Sequence, residues 1–231
     1  MSRPTRDPQI EALFAPLGVR AYAAAADPEL IADLRAEESA AVADMVVSRQ
    51  AEFATARACA RSAMAEFGVD AAVPRREGGA PRWPSGMAGS ISHTKGYCVA
   101  VAHQGTHTLG IDIEEIARIK PSIERRILVD AERDGLVGLD DTDRRTRVAT
   151  IFAAKEAFYK AHYEVDARYL GFDAIAVEVR DSAVGLHPAS GAVADDLLHH
   201  AAGRVLLEQG RVVVGVVIDA AGLARPLPCG E

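Results

Sequence analysis

The stretch Gly89–Glu115 reads GSISHTKGYCVAVAHQGTHTLGIDIEE, and its reading decides the fold. Gly89 to Ala102 forms two strands around a turn at Lys95-Gly96. His103 to Thr108 is polar, and Leu109 to Glu115 is a further strand. The hairpin closes one half of the chain and the strand opens the next. The boundary therefore falls between them, with an N-terminal half over residues 1–106 and a C-terminal half over 107–231.

Working outward, residues 17–24 suit a short strand. Asp27 then suits an N-cap and Pro28 a first-turn position. The run Glu29–Phe67 is rich in Ala, Glu, Arg and Met, which predicts two helices with a break near Val46–Ser48. Ser48 would cap the second and Gly68 end it. Residues 73–89, which carry Trp83, are a loop. Downstream, Lys120 to Arg147 is expected to be helical with loops. Val148, Ile151, Phe152, Phe158 and Tyr159 fall at helical spacings over residues 146–163. A strand over Ala174–Val179 follows. Arg204–Leu207 and Val212–Ile218 flank Glu208-Gln209-Gly210 as a hairpin. The fold class is α+β, each half holding helices and a small antiparallel sheet. No sequence repeat is visible, although the halves could be structurally similar.

A chain of 231 residues makes one large domain or two smaller ones. A net charge of -7 argues against a dedicated nucleic-acid binder. Cys59, Cys98 and Cys229 are odd in number and widely spaced, which fits neither a disulfide framework nor a zinc knuckle and points to the cytoplasm. The start Met1-Ser2-Arg3-Pro4 lacks an apolar signal core. No stretch reaches the roughly 20 apolar residues of a membrane helix, so no membrane partner is expected.

Asp112 and Glu114 stand at i and i+2 of a strand, so both point to one face while Ile111 and Ile113 point into a core. Neighbouring carboxylates repel; a cation relieves this, and hard oxygen donors suit magnesium. The bland alternative is a solvated pair at a sheet edge. On the long helix, Glu156 could be a third ligand and Lys155 a phosphate contact; equally, Glu156 and Lys160 could form an ordinary surface pair. His93 could donate to a phosphate with Ser92 beside it, or simply stabilise the turn. Ser92 and His93 diverge on a strand, and no Gly-x-Ser-x-Gly elbow is present, so a serine hydrolase is unsupported. Arg49, Arg57 and Arg61 share a helix face and could hold a phosphate, or pair with Glu52 and Glu66 in solvent. Dinucleotide and Walker loops are absent.

Four blocks in order resemble the 4'-phosphopantetheinyl transferases of the Sfp-like type and their enterobactin-synthetase-component relatives. They are Arg49–Phe53 with Arg57–Arg61; Pro81-Arg82-Trp83-Pro84 through Gly89–His93; Gly110–Ile116; and Phe152–Ala161. The likeness runs on to Leu170-Gly171-Phe172-Asp173. It implies a monomeric pseudo-dimer of two similar α/β halves with the active site in the cleft between them. The implied reaction moves the phosphopantetheine arm of coenzyme A to a serine of an apo acyl or peptidyl carrier protein and releases 3',5'-ADP. Magnesium, or manganese, would sit at Asp112, Glu114 and Glu156. Lys155 and Glu156 would be catalytic, Glu156 as general base. Arg49, Arg57, Arg76, Ser92, His93, Asp112, Lys155 and Lys160 would contact coenzyme A. The chain departs from the pattern before Pro81, where many relatives carry a lysine; Arg75 or Arg76 stands in for it. Polyketide, nonribosomal-peptide, siderophore and fatty-acid carriers all remain open. The competing readings are another magnesium-dependent phosphohydrolase and a silent module that binds coenzyme A or a carrier.

Overall fold

The computed structural model describes residues 3–222, so Cys229 lies outside the described residues. The chain folds as two compact units, Met1–Thr106 and His107–Glu231.

The first unit runs β1 (Thr5–Arg6), α1 (Pro8–Ala12), β2 (Arg20–Ala25), a 3-10 turn Pro28–Asp33, α2 (Ala36–Ser39), α3 (Val47–Ala65), β3 (Met87–Thr94) and β4 (Tyr97–Gln104). Its antiparallel sheet has the order β1-β2-β4-β3. The β3–β4 turn falls at Lys95-Gly96, where Gly96 takes φ +69°. Small residues of α3 (Cys59, Ala60, Ala63) pack on Ala24, Ala100 and Ala102, which lets the helix sit close to the sheet.

Two expectations for the run Glu29–Phe67 are corrected. Its first part is no single helix but a 3-10 turn, the four-residue α2 and a second 3-10 turn at Ala40–Val42. Tertiary bonds override helix propensity there. Buried Glu38 accepts from Arg35 N at 3.1 Å, from Val73 N at 2.9 Å and from the Arg61 guanidinium. The N-cap of α3 is Val46, not Ser48. Gln50 Nε2 secures this end by donating to Met45 O at 2.9 Å. At the far end Gly68 takes φ +73° and Val69 N returns to Met64 O at 3.2 Å, a glycine-terminated helix.

The second unit runs β5 (Thr108–Glu115), α4 (Pro121–Ile127), α5 (Asp130–Asp134), α6 (Asp141–Asp166), β6 (Ile175–Arg180), β7 (Ala183–Pro188), α7 (Asp195–His199), β8 (Ala201–Glu208) and β9 (Arg211–Ile218). Asp140 caps α6, its carboxylate accepting from Thr142 N and Asp143 N at 2.9 Å. The sheet order is β5-β9-β8-β7-β6, all pairs antiparallel. The β8–β9 hairpin turns through Gln209 and Gly210, both at positive φ. β7 was not foreseen from the sequence; Asp181 at φ +52° turns the chain back into it. Val148, Ile151 and Phe158 of α6 bury against Ile175, Val214 and Val216.

The two units share one connection. In each, a strand leads through short helices to a long helix and then to a hairpin whose second strand pairs with the opening strand: β2-β4-β3 in the first, β5-β9-β8 in the second. The hairpin of β6 and β7, with α7, extends the second sheet. Among the described residues no helix is long and apolar enough to cross a membrane.

Candidate active site

The acid cluster lies within the second unit, where β5 meets α6. A Cβ built on Gly110 would lie 1.7 Å from the Ala157 carbonyl oxygen, so only glycine lets the helix backbone come down onto the strand here. The pleat puts Asp112 and Glu114 on the same face as Gly110. That face meets the turn of α6 carrying Glu156 and Lys160. Lys160 Nζ donates to Asp112 Oδ1 at 2.7 Å and to Ile111 O at 2.9 Å. The surface pairing of Glu156 with Lys160 gives way to this cross-element ion pair.

Burial, helped by the neighbouring charge of Asp112, pushes the Glu114 carboxyl up to about 7; Lys160 opposes this and Glu156 adds to it. Burial raises the Glu156 carboxyl as well, with Asp112 next in importance and Lys160 again opposing. The three acids therefore sense one another and are short of positive charge. Among the described residues no three His, Cys, Asp or Glu side chains stand as a closed metal-binding group. The cluster is a set of mutually repelling hard oxygen donors, the donor chemistry that magnesium takes.

Lys155 corrects an expectation. It is 0% exposed and commits three protons inside the unit: to Ile127 O at 2.6 Å, Glu132 Oε2 at 2.9 Å and Phe172 O at 2.7 Å. An ammonium has three donors, so none remains for a phosphate. Burial pulls the Lys155 pKa down, and Glu132 opposes the shift.

The basic cluster lies within the first unit. Arg49, Glu52, Phe53 and Arg57 of α3 line a cavity of about 100 Å³ with Met45, Ala56, Ile91 and His93. Exposed Arg49 donates to Glu52 Oε2 at 2.7 Å and bonds His93 Nε2 at 2.6 Å. Arg57 is buried; its Nε donates to Val73 O at 2.6 Å, and its guanidinium carbon sits 4.1 Å from the Phe53 ring centre. Desolvation pulls the Arg57 pKa down to about 10, which leaves it charged at neutral pH.

Arg61 is not part of this cavity, because it turns to Glu38 and Asp33 O. Ser92 is not part of it either. It is buried on the opposite face of β3 from Ile91 and His93, as adjacent strand residues must be. Arg76 sits half-buried in a turn closed by its own N–H to Ala80 O at 2.8 Å, outside the cavity lining. The cations that act on Arg57 are Arg75 and, more weakly, Arg61. Sequence reasoning missed Glu132 as a partner of the site residues, whereas the pairing of Arg49 with Glu52 was among its alternatives. The one local sign of Glu132 was its place three residues after Val129, whose N–H it accepts.

The chain carries an acid cluster in one α+β unit and an arginine–histidine cavity in the other, and comparison with known proteins says to which class of enzyme it belongs. The model of the 4'-phosphopantetheinyl transferase N-terminal domain matches residues 37–103, and that of the 4'-phosphopantetheinyl transferase superfamily matches 108–204. The chain belongs to the 4'-phosphopantetheinyl transferase family and is a transferase of that kind. It is 38% identical over 173 residues to 4'-phosphopantetheinyl transferase Npt of Nocardia iowensis, covering 72% of this chain and 76% of that one. It is 37% identical to 4'-phosphopantetheinyl transferase Svp of Streptomyces mobaraensis, covering 59% and 57%. It is 31% identical to enterobactin synthase component D of Salmonella typhi, covering 49% and 48%. The chain thus spans only about half the length of the last two relatives.

Proposed function

We propose that this transferase moves the phosphopantetheine arm of coenzyme A to a serine of an apo acyl or peptidyl carrier protein, releasing 3',5'-ADP. The reading also has it acting as a single chain in the cytoplasm. The observation that carries the reaction is the electrostatic coupling of Glu114 and Glu156 to Asp112, beside the glycine contact of β5 with α6, inside the segment that matches the superfamily. Those three residues would hold magnesium, or manganese. Bound there, the ion would supply positive charge against the pyrophosphate of coenzyme A.

The chain's own residues do the rest. Lys160 orients Asp112, donating one proton to its carboxylate and one to Ile111 O, and the third serves a phosphate oxygen. Arg57, charged and pre-placed by Val73 O and Phe53, holds the 3'-phosphate with Arg49 and His93. Glu156, whose carboxyl pKa is raised by burial, takes the proton from the incoming serine hydroxyl, directly or through water.

The test is to incubate the protein with magnesium, coenzyme A and an apo carrier, and to weigh the carrier. A gain of one phosphopantetheine arm is expected. Hydrolysis of coenzyme A with no gain on any carrier would refute the transfer.

A further inference from the structure

We propose that Glu132 is a positioning residue for the acid cluster: acting through Lys155, it sets the rotation of α6 about its own axis and so the direction of Glu156. The inference rests on the metal reading given above. Glu132 is buried, and both of its carboxylate oxygens are engaged. Oε2 accepts from Lys155 Nζ at 2.9 Å and from Val129 N at 2.8 Å, while Oε1 accepts from Val177 N at 2.8 Å. Lys155 adds bonds to Ile127 O and Phe172 O. One point of α6 is thereby tied to the end of α4, the start of α5, β6 and the segment after α6.

Lys155 and Glu156 are consecutive, so their side chains leave the helix about 100° apart. Holding Lys155 towards Glu132 turns Glu156 towards β5. The Gly110–Ala157 contact fixes how near the helix lies; its rotation is held by Lys160 on the β5 side and by Lys155 on the other. A side-chain atom about 5 Å from the axis moves about 2 Å for a 20° rotation. Metal–ligand distances tolerate about 0.2 Å. A small rotation is therefore enough to take Glu156 out of a shared ion site without unfolding the unit.

The first unit supplies a control. Glu38 accepts from Arg61, Arg35 N and Val73 N, in the same pattern, and stands 23 residues before its cation as Glu132 does. The residue after Arg61 is Ser62, not an acid.

The experiment titrates Mn²⁺ into substrate-free protein and follows the free-ion signal by electron paramagnetic resonance, beside thermal melts. Glu132→Gln, which keeps the shape of the side chain, is expected to weaken Mn²⁺ binding about tenfold or more. Glu38→Gln is expected to lower the melting temperature comparably and leave Mn²⁺ binding at the wild-type value. Equal Mn²⁺ binding by Glu132→Gln and wild type would overturn the inference while leaving the metal reading intact. No Mn²⁺ binding by the wild type would overturn the metal reading itself, and the positioning role with it. Should Glu132→Gln fail to fold, Glu132→Asp carries the same test, because it keeps the charge and withdraws it by one methylene.

Discussion

The two units hold the same buried device and use it differently. In each, a glutamate three residues past a short helix's N-cap accepts that residue's N–H, a distant backbone N–H and a cation from the long helix. In the first unit the cation is Arg61, whose side chain is 15% exposed; in the second it is Lys155, at 0%. Beyond that point the units part. The opening strand of the first offers Ala24 to its helix, closed by Cys59, Ala60 and Ala63. The opening strand of the second offers Asp112 and Glu114 to Glu156 and Lys160. The ion pair therefore belongs to the scaffold, and the chemistry depends on what stands beside it. The first unit's arginine–histidine cavity lies elsewhere, lined by α3 and β3.

The largest break in this comparison is expected at the residue following each cation. Glu156→Gln abolishes transfer, about a thousandfold or more, with the fold intact, because it removes a charge the reaction needs. Ser62→Gln leaves the rate within a factor of two. Carrier mass gain against time, with circular dichroism for the fold, measures both.

Next is the device itself. Lys155→Met strands Glu132 as an unpaired buried charge and costs about 3–5 kcal/mol in urea unfolding. Arg61→Met costs less, because water reaches that pair. Equal losses would mean that exposure does not separate the two.

Gly110→Ala comes third. A methyl cannot fit against the Ala157 carbonyl, so α6 must shift. A displacement near 1 Å costs about a hundredfold in rate.

The smallest effect is that of pH. The Glu114 carboxyl ionises near 7 in the fold against 4.5 as its ordinary value, so between these values the folded state holds more protons than the unfolded. Its contribution to stability is full below pH 4.5 and is lost as pH rises through about 7. A cation reverses this. Magnesium should raise the melting temperature more at pH 8 than at pH 6, with affinity falling up to about tenfold per pH unit below 7. Melts with and without magnesium at both values check it.

Much of this organisation is legible in the chain. The two strands around Lys95-Gly96, the strand Leu109–Glu115 and the 3.6-residue spacing of Val148, Ile151 and Phe158 are local patterns that the fold keeps. The same-face placement of Asp112 and Glu114 follows from the pleat alone. Other features are not local. The run before α3 breaks into short turns because Glu38 is drawn to Arg61 and Val73. Arg75 acts on Arg57, although Arg76 is its equal in sequence.

By itself, then, the sequence determined which residues share a face, because a strand or helix imposes its period on immediate neighbours. Only the tertiary structure decided what each face meets. Lys155 and Glu156 are adjacent and charged, and on paper both serve the site, Lys155 as a phosphate contact and Glu156 as a metal ligand. Glu132, from α5, accepts a proton of Lys155 and draws that side chain inward, and β5, pressed close at Gly110, faces Glu156. That division depends on contacts 23 and more residues apart, and helix periodicity carries no record of them.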